Sequence, residues 1–178
     1  FRSQFYPIMP GGVQFPYGYC YRCAFDRSYP ECDLACVKYL EKALTNRKFG
    51  LADSELGVNS VAAIIGEPAQ GASGYIVPPK EFWPSIRRLC DEHGILLIAD
   101  EIQMGWARSG KMFCMEVWDT TPDIMAVGKS ISSGIAPLAA TIARPEIMDC
   151  LKPTHQTVTF GGTPVACAVA VATIDFIQ

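Results

Sequence analysis

Short apolar runs alternate with helix-period segments along this chain. From Asp33 to Leu44 the apolar residues Leu34, Val37, Leu40 and Leu44 recur at three- and four-residue steps, which predicts a helix. Asn46 to Asn59 reads as a loop. Val61-Ala62-Ala63-Ile64-Ile65 is a run of the buried-strand type, and Gly66-Glu67-Pro68 ends it because proline cannot continue a ladder. A second helix is expected from Pro78 to about His93, with proline near its start and Gly94 just past its end. Three more strand runs follow: Ile95 to Ala99, Pro122 to Val127 and Leu138 to Ala143. An Ala/Val-rich helix is expected from Ala166 to Ile177. Residues 1–36 are rich in Cys, Pro and aromatics and read as an irregular excursion; residues 37–178 form the body.

Apolar strands buried on both faces and separated by helices predict an α/β fold, a mostly parallel sheet with flanking helices. In such sheets ligands bind beyond the carboxyl ends of the strands. That rule singles out Glu67, Asp100 and Lys129, each a charged group where a strand run stops. A core has no use for a charge, so each must be solvated, paired or functional. A lysine in a partly apolar cleft can become nucleophilic toward an aldehyde, and a buried carboxylate can hold a pyridine nitrogen protonated. The same pair could equally form a surface salt bridge.

The 178 residues carry a net charge of −3 with Lys and Arg scattered, so no basic field for nucleic acid is evident. No apolar run approaches the roughly 20 residues that span a bilayer. There is no signal-peptide pattern, and a reducing cytoplasm is the default expectation. Both ends look cut, which suggests a segment of a longer chain. Of the eight cysteines, Cys20, Cys23, Cys32 and Cys36 crowd together with a spacing that fits a compact Cys₄ zinc site, against ordinary reduced cysteines in a surface excursion. Cys90, Cys114, Cys150 and Cys167 read as small core residues. Glu101 should point to the side opposite Asp100, where a structural ion pair suits it. Arg108 and Lys111 read as a solvated loop, and His93 as a favourable helix-end charge.

The segment Leu97-Ile98-Ala99-Asp100-Glu101-Ile102-Gln103-Met104-Gly105 through Phe113, continued by Pro122-Asp123-Ile124-Met125-Ala126-Val127-Gly128-Lys129, resembles the signature of class III (4-aminobutyrate/ornithine-type) aminotransferases of pyridoxal-phosphate fold type I. Glu67-Pro68-Ala69-Gln70-Gly71 looks like an upstream element of that family, and Thr159-Phe160-Gly161-Gly162-Thr163-Pro164 like a downstream one. The resemblance implies the large, cofactor-binding domain of that fold, incomplete at both ends and lacking the small C-terminal domain. It implies pyridoxal 5'-phosphate as cofactor, with Lys129 as the Schiff-base lysine and proton carrier and Asp100 on the pyridine nitrogen. Gln103 would lie near the phenolic oxygen of the ring, Ile102 on a ring face, Glu67 beside the cofactor, and Thr159 on the phosphate of the neighbouring subunit.

The activity implied is transfer of an amino group from an amino acid or ω-amine to a 2-oxo acid, in a cytoplasmic homodimer with shared sites. The isolated segment would bind cofactor poorly and be inactive. Ala72 stands where the family often has a second acid, which puts the usual handling of a dicarboxylate co-substrate in doubt. The resemblance calls for no metal. A racemase, epimerase or decarboxylase of the same fold shares these residues. A non-catalytic α/β or zinc-binding interaction module is the alternative of another class.

Overall fold

The computed structural model describes residues 11–46, 51–53, 58–152, 155 and 158–178. Its centre is a four-stranded sheet in the order β3-β4-β5-β6, formed by β3 (Ala63–Gly66), β4 (Leu96–Asp100), β5 (Ile124–Val127) and β6 (Ala140–Ala143). The first three strands are parallel: Gly66 pairs with Ala99, and Asp100 pairs with Ala126. The last strand runs antiparallel, with Val127 opposite Ala140. All four expected strands are therefore present, and the sheet is mostly parallel.

Helices α1 (Ala35–Thr45) and α2 (Phe82–His93) build the main core with the sheet. Their buried positions, Val37, Leu40 and Leu44 on α1 and Phe82, Trp83, Ile86 and Leu89 on α2, recur at helical spacing and meet Ile64, Leu97 and Ala99 from the strands. Gly94 closes α2 in the left-handed conformation that a Cβ would strain, at φ +64°. A second, smaller cluster joins Trp106, Val127 and Ile131 to Ala170 of α4 (Pro164–Ile177). The short helix α3 (Pro145–Met148) follows β6.

Three expectations change. The stretch read as a loop from Asn46 to Asn59 contains a short antiparallel ribbon of β1 (Ala52–Asp53) and β2 (Val58–Asn59), too brief to show a period of two. The fourth strand run is not buried on both faces: Ala140, Thr141 and Ile142 of β6 are exposed, because an apolar run reports β tendency without saying what covers it. Of the isolated cysteines, Cys90 and Cys114 are core residues, with burial pushing their thiols up to about 11, but Cys150 and Cys167 are exposed free thiols.

Polar contacts hold both ends of the sheet. The Trp83 indole N–H donates to the Pro68 carbonyl at 2.8 Å, and the ring lies against Gly66, where an added Cβ would stand 2.9 Å from Trp83 Cη2. At the opposite strand ends, Asp123 Oδ2 accepts from Arg87 Nη1 at 2.7 Å and from the Leu97 amide at 2.8 Å, stapling α2 and β4 to the start of β5. Burial works against the charged form of Asp123. The Leu97 amide and the Arg87 guanidinium outweigh it and hold the carboxyl below the usual range. Stability from this group is present above the unfolded carboxyl pKa of about 3.9 and is lost as pH falls through the depressed folded value. Asp123→Ala should therefore cost about 2–3 kcal/mol near pH 7 in urea unfolding. The deficit should shrink as the pH drops below about 4; a deficit independent of pH would contradict the ion-pair account.

Candidate functional site

The parallel register carries the tips of β3, β4 and β5 to the same end of the sheet, so Glu67, Asp100 and Lys129 arrive as neighbours in strand order. The turn after β3 is organised around Glu67, whose Oε2 accepts the Gly71 amide at 2.8 Å. The Tyr17 hydroxyl lies 3.0 Å from the Glu67 carbonyl and 2.7 Å from that of Pro68, and burial raises the phenol well above its ordinary range.

Asp100 is half-buried. Its Oδ1 accepts the Ile102 amide at 3.1 Å, while Oδ2 has no protein donor among the described residues. It lines a cavity of about 600 Å³ with Gly66, Glu67, Gln70, Tyr17 and Trp83, a size suited to a small organic ligand.

Lys129 opens the short 3₁₀ helix Lys129–Ser132 with φ +45°, a left-handed conformation that costs a lysine of order 1 kcal/mol. Such a value persists only where the surroundings impose it, and it is a reason to look for function. The ammonium donates to Gln103 Oε1 at 3.0 Å rather than pairing with Asp100. Lys129 also lines a second cavity, with Trp106, Arg108, Ser130, Ser133 and Gly134. The lysine and the aspartate thus face different hollows, and Gln103 stands between the elements that carry them.

Gln103 is placed by two glycines and an isoleucine. A Cβ added at Gly71 would overlap the Gln103 carboxamide, so only glycine leaves room for it. Ile102 packs beside Gly128, where an added Cβ would lie 3.6 Å from Ile102 Cγ2. Glu67, Gly71, Gln103 and Lys129 therefore form one continuous chain of contacts across the strand tips. Thr159 stands apart, exposed in a turn near α4, without a hydrogen bond among the described residues.

Other sequence expectations resolve as follows. Glu101 makes no ion pair among the described residues: it is fully buried, and its Oε1 accepts the Met115 amide at 2.8 Å. Burial raises its carboxyl, against the pull of the Met115 and Cys114 amides. The ion-pair expectation fails because backbone N–H groups, invisible to residue-type reasoning, replace the missing cation. Arg108 is exposed and donates to Ser130 Oγ at 3.4 Å, and Lys111 is exposed as well. Cys20, Cys23, Cys32 and Cys36 line one small cavity of about 20 Å³ as free thiols. Among the described residues no group of three or more His, Cys, Asp or Glu is arranged to hold a metal ion.

Gly71, Tyr17 and Trp83 escaped the sequence reading as site residues. Only Gly71 had a local signal, its place in the Glu-Pro-Ala-Gln-Gly turn. The other two reach the site from distant segments.

The family model described as aminotransferase class-III matches residues 2–178. A leucine/methionine racemase of Thermococcus litoralis is 40% identical over 163 residues, 92% of this chain and 35% of its own. An adenosylmethionine-8-amino-7-oxononanoate aminotransferase of Geobacter sulfurreducens is 38% identical across 100% of this chain and 39% of its own. The solved structure of an (S)-enantioselective omega-transaminase from Thermomicrobium roseum superposes with a TM-score of 0.85 at 33% identity, over 99% of this chain and 39% of that one. The chain thus spans 35 to 39% of the length of these relatives.

Replacing Gly71 tests the contact chain directly. In the full-length protein, Gly71→Ala should displace the Gln103 side chain and release Lys129, read as a changed rate of Lys129 acylation by peptide mass spectrometry. Unchanged labelling of Lys129 in a folded variant would show that Gly71 does not set the position of Gln103.

Proposed function

Because this chain belongs to the class-III aminotransferase family, we propose that it is the cofactor-holding part of a pyridoxal-phosphate enzyme that moves an amino group from an amino acid or ω-amine to a 2-oxo acid. The observation that carries this reading is the delivery to one end of the sheet of Asp100, with one oxygen unpartnered among the described residues, and of Lys129, whose amine meets the Gln103 carboxamide.

These donors suit the cofactor. The open Oδ2 of Asp100, beside a cavity of about 600 Å³, matches a protonated pyridine nitrogen, and the Lys129 amine matches an aldehyde. When bound, pyridoxal phosphate supplies the aldehyde and a ring that takes up electron density from the carbon next to nitrogen. Asp100 keeps a proton on the ring nitrogen by accepting it in a hydrogen bond. Gln103, whose Oε1 lies 3.0 Å from Lys129 Nζ, would orient that nitrogen for the cofactor aldehyde. As a free amine, Lys129 Nζ would take the proton from the substrate α-carbon and return it. Ile102 contributes an apolar surface for one ring face. Glu67, fixed by the Gly71 amide, places its carboxyl group at the rim of the same cavity.

Thr159 is assigned to the cofactor phosphate of a second subunit, so the working unit is a homodimer with shared sites. Its exposed turn, unattached to Lys129, supports that assignment. Residues 1–36 are read as an excursion of the large domain, supported by Tyr17 packing on Phe82 at 5.1 Å. Among the described residues no helix is long and apolar enough to cross a membrane.

A second reading, racemisation of an amino acid, is favoured by the Thermococcus litoralis relative. Lys129 and Asp100 would serve it equally, because both reactions start with removal of the α-proton.

In the full-length, cofactor-loaded protein, Lys129→Ala should abolish the visible absorption of the lysine-bound cofactor and lower amine exchange by about 10²–10⁴-fold or more. Asp100→Asn should leave binding measurable and cut turnover by a similar order. Supplying an amino donor with an oxo acid should give amine exchange; loss of optical rotation without oxo acid would favour the racemase. A well-folded, cofactor-loaded protein lacking the Lys129-dependent band would end both readings.

A further inference from the structure

Glu101 is the most deeply buried ionisable side chain beside the site, at 0% exposure, and the mechanism above gives it no task. Its three polar groups reach three different elements. The amide donates to the Ala126 carbonyl of β5 at 2.9 Å. The carbonyl accepts the Gly105 amide at 2.9 Å, closing a turn so tight that a Cβ at Gly105 would stand 2.9 Å from that oxygen. The side-chain Oε1 accepts the Met115 amide at 2.8 Å, and Oε2 is buried without a partner among the described residues.

The turn encloses Ile102, Gln103 and Met104, and the first two touch Gly128 and Lys129. On the far side, Met115 belongs to the 3₁₀ helix Cys114–Trp118, whose Cys114, Met115 and Trp118 are themselves buried in the main core. The Glu101 side chain is thus a link from the core to the turn that presents Gln103. A surface residue of the same loop, such as Arg108, has no comparable reach.

We propose that Glu101 is a positioning residue: its buried side chain ties the 101–105 turn to the Cys114–Trp118 helix and so determines where Gln103 meets the Lys129 amine. This deepens the proposed function and rests on it for its meaning, but the Gln103–Lys129 contact can be read without cofactor. Glutamine at position 101 keeps the Oε1 acceptor and the length. Aspartate is one methylene too short to reach Met115, and alanine removes the acceptor.

The test is the acylation rate of Lys129 in cofactor-free, full-length protein, read by peptide mass spectrometry. Gln103→Ala serves as benchmark, with an expected change of about two- to tenfold, the scale of one hydrogen bond. Glu101→Ala should change the rate in the same direction and by a similar factor, and the Glu101→Ala/Gln103→Ala double variant should go no further than Gln103→Ala. Glu101→Gln should stay at the wild-type rate. If Glu101→Ala does not fold, Glu101→Asp takes its place in the same comparison.

A lower melting temperature in Glu101→Ala with wild-type labelling would reduce Glu101 to a structural role and overturn the proposal. So would additive effects in the double variant, or a Gln103→Ala rate equal to wild type. Absence of a Lys129-dependent cofactor band in the unsubstituted holoprotein would instead defeat the proposed function, while the labelling comparison would still decide the role of Glu101.

Discussion

Parallel pairing of β4 between β3 and β5 is the constraint on which the site depends. Parallel strands end together, so Glu67, Asp100 and Lys129, at or just past the strand tips, are delivered to one end of the sheet without any contact among themselves being required. The pairing is held by burial of Ile64, Leu97 and Ala99 under α1 and α2, with Asp123 and Arg87 fastening the opposite strand ends. Apolar burial thus does the work of alignment, and the polar residues spend no binding capacity on holding the strands together.

Charge is then distributed by what each tip can reach. Asp100 meets one backbone amide and keeps an oxygen open. Glu67 is occupied by the Gly71 amide, and Lys129 by the Gln103 carboxamide. None of the three pairs with another, although a carboxylate and an ammonium on adjacent strands would attract. A direct Asp100–Lys129 ion pair would quench both groups for any ligand. The intervening turn, tight at Gly105 and crowded at Gly71, places an uncharged amide beside the ammonium instead. The left-handed backbone of Lys129 belongs to the same arrangement.

Much of this was legible from residue order. The strand runs at Ala63, Leu96, Ile124 and Ala140, the helices α1, α2 and α4, and the three charged strand ends all follow from apolar periodicity and its punctuation. What escaped was set by contacts between distant segments. The exposure of β6, the exposed thiols of Cys150 and Cys167, and the amide partner of Glu101 each depend on which other segment lies within a few ångströms. The crowded cysteines illustrate the same limit from the other direction. Spacing drew attention to Cys20, Cys23, Cys32 and Cys36, and the fold gathers them round one small cavity, a grouping that spacing alone does not settle.

The sequence by itself determined the α/β class, the order of strands and helices, and the identity of the ionisable groups at the strand tips, because these follow from local periodicity and from the cost of burying a charge. Only the tertiary structure decided that Gln103 stands against Gly71 and meets Lys129, and that Glu101 is held by an amide rather than a cation. Those outcomes depend on side-chain volumes and backbone donors brought together across the sheet, and distances of that kind are a property of packing that no single segment encodes.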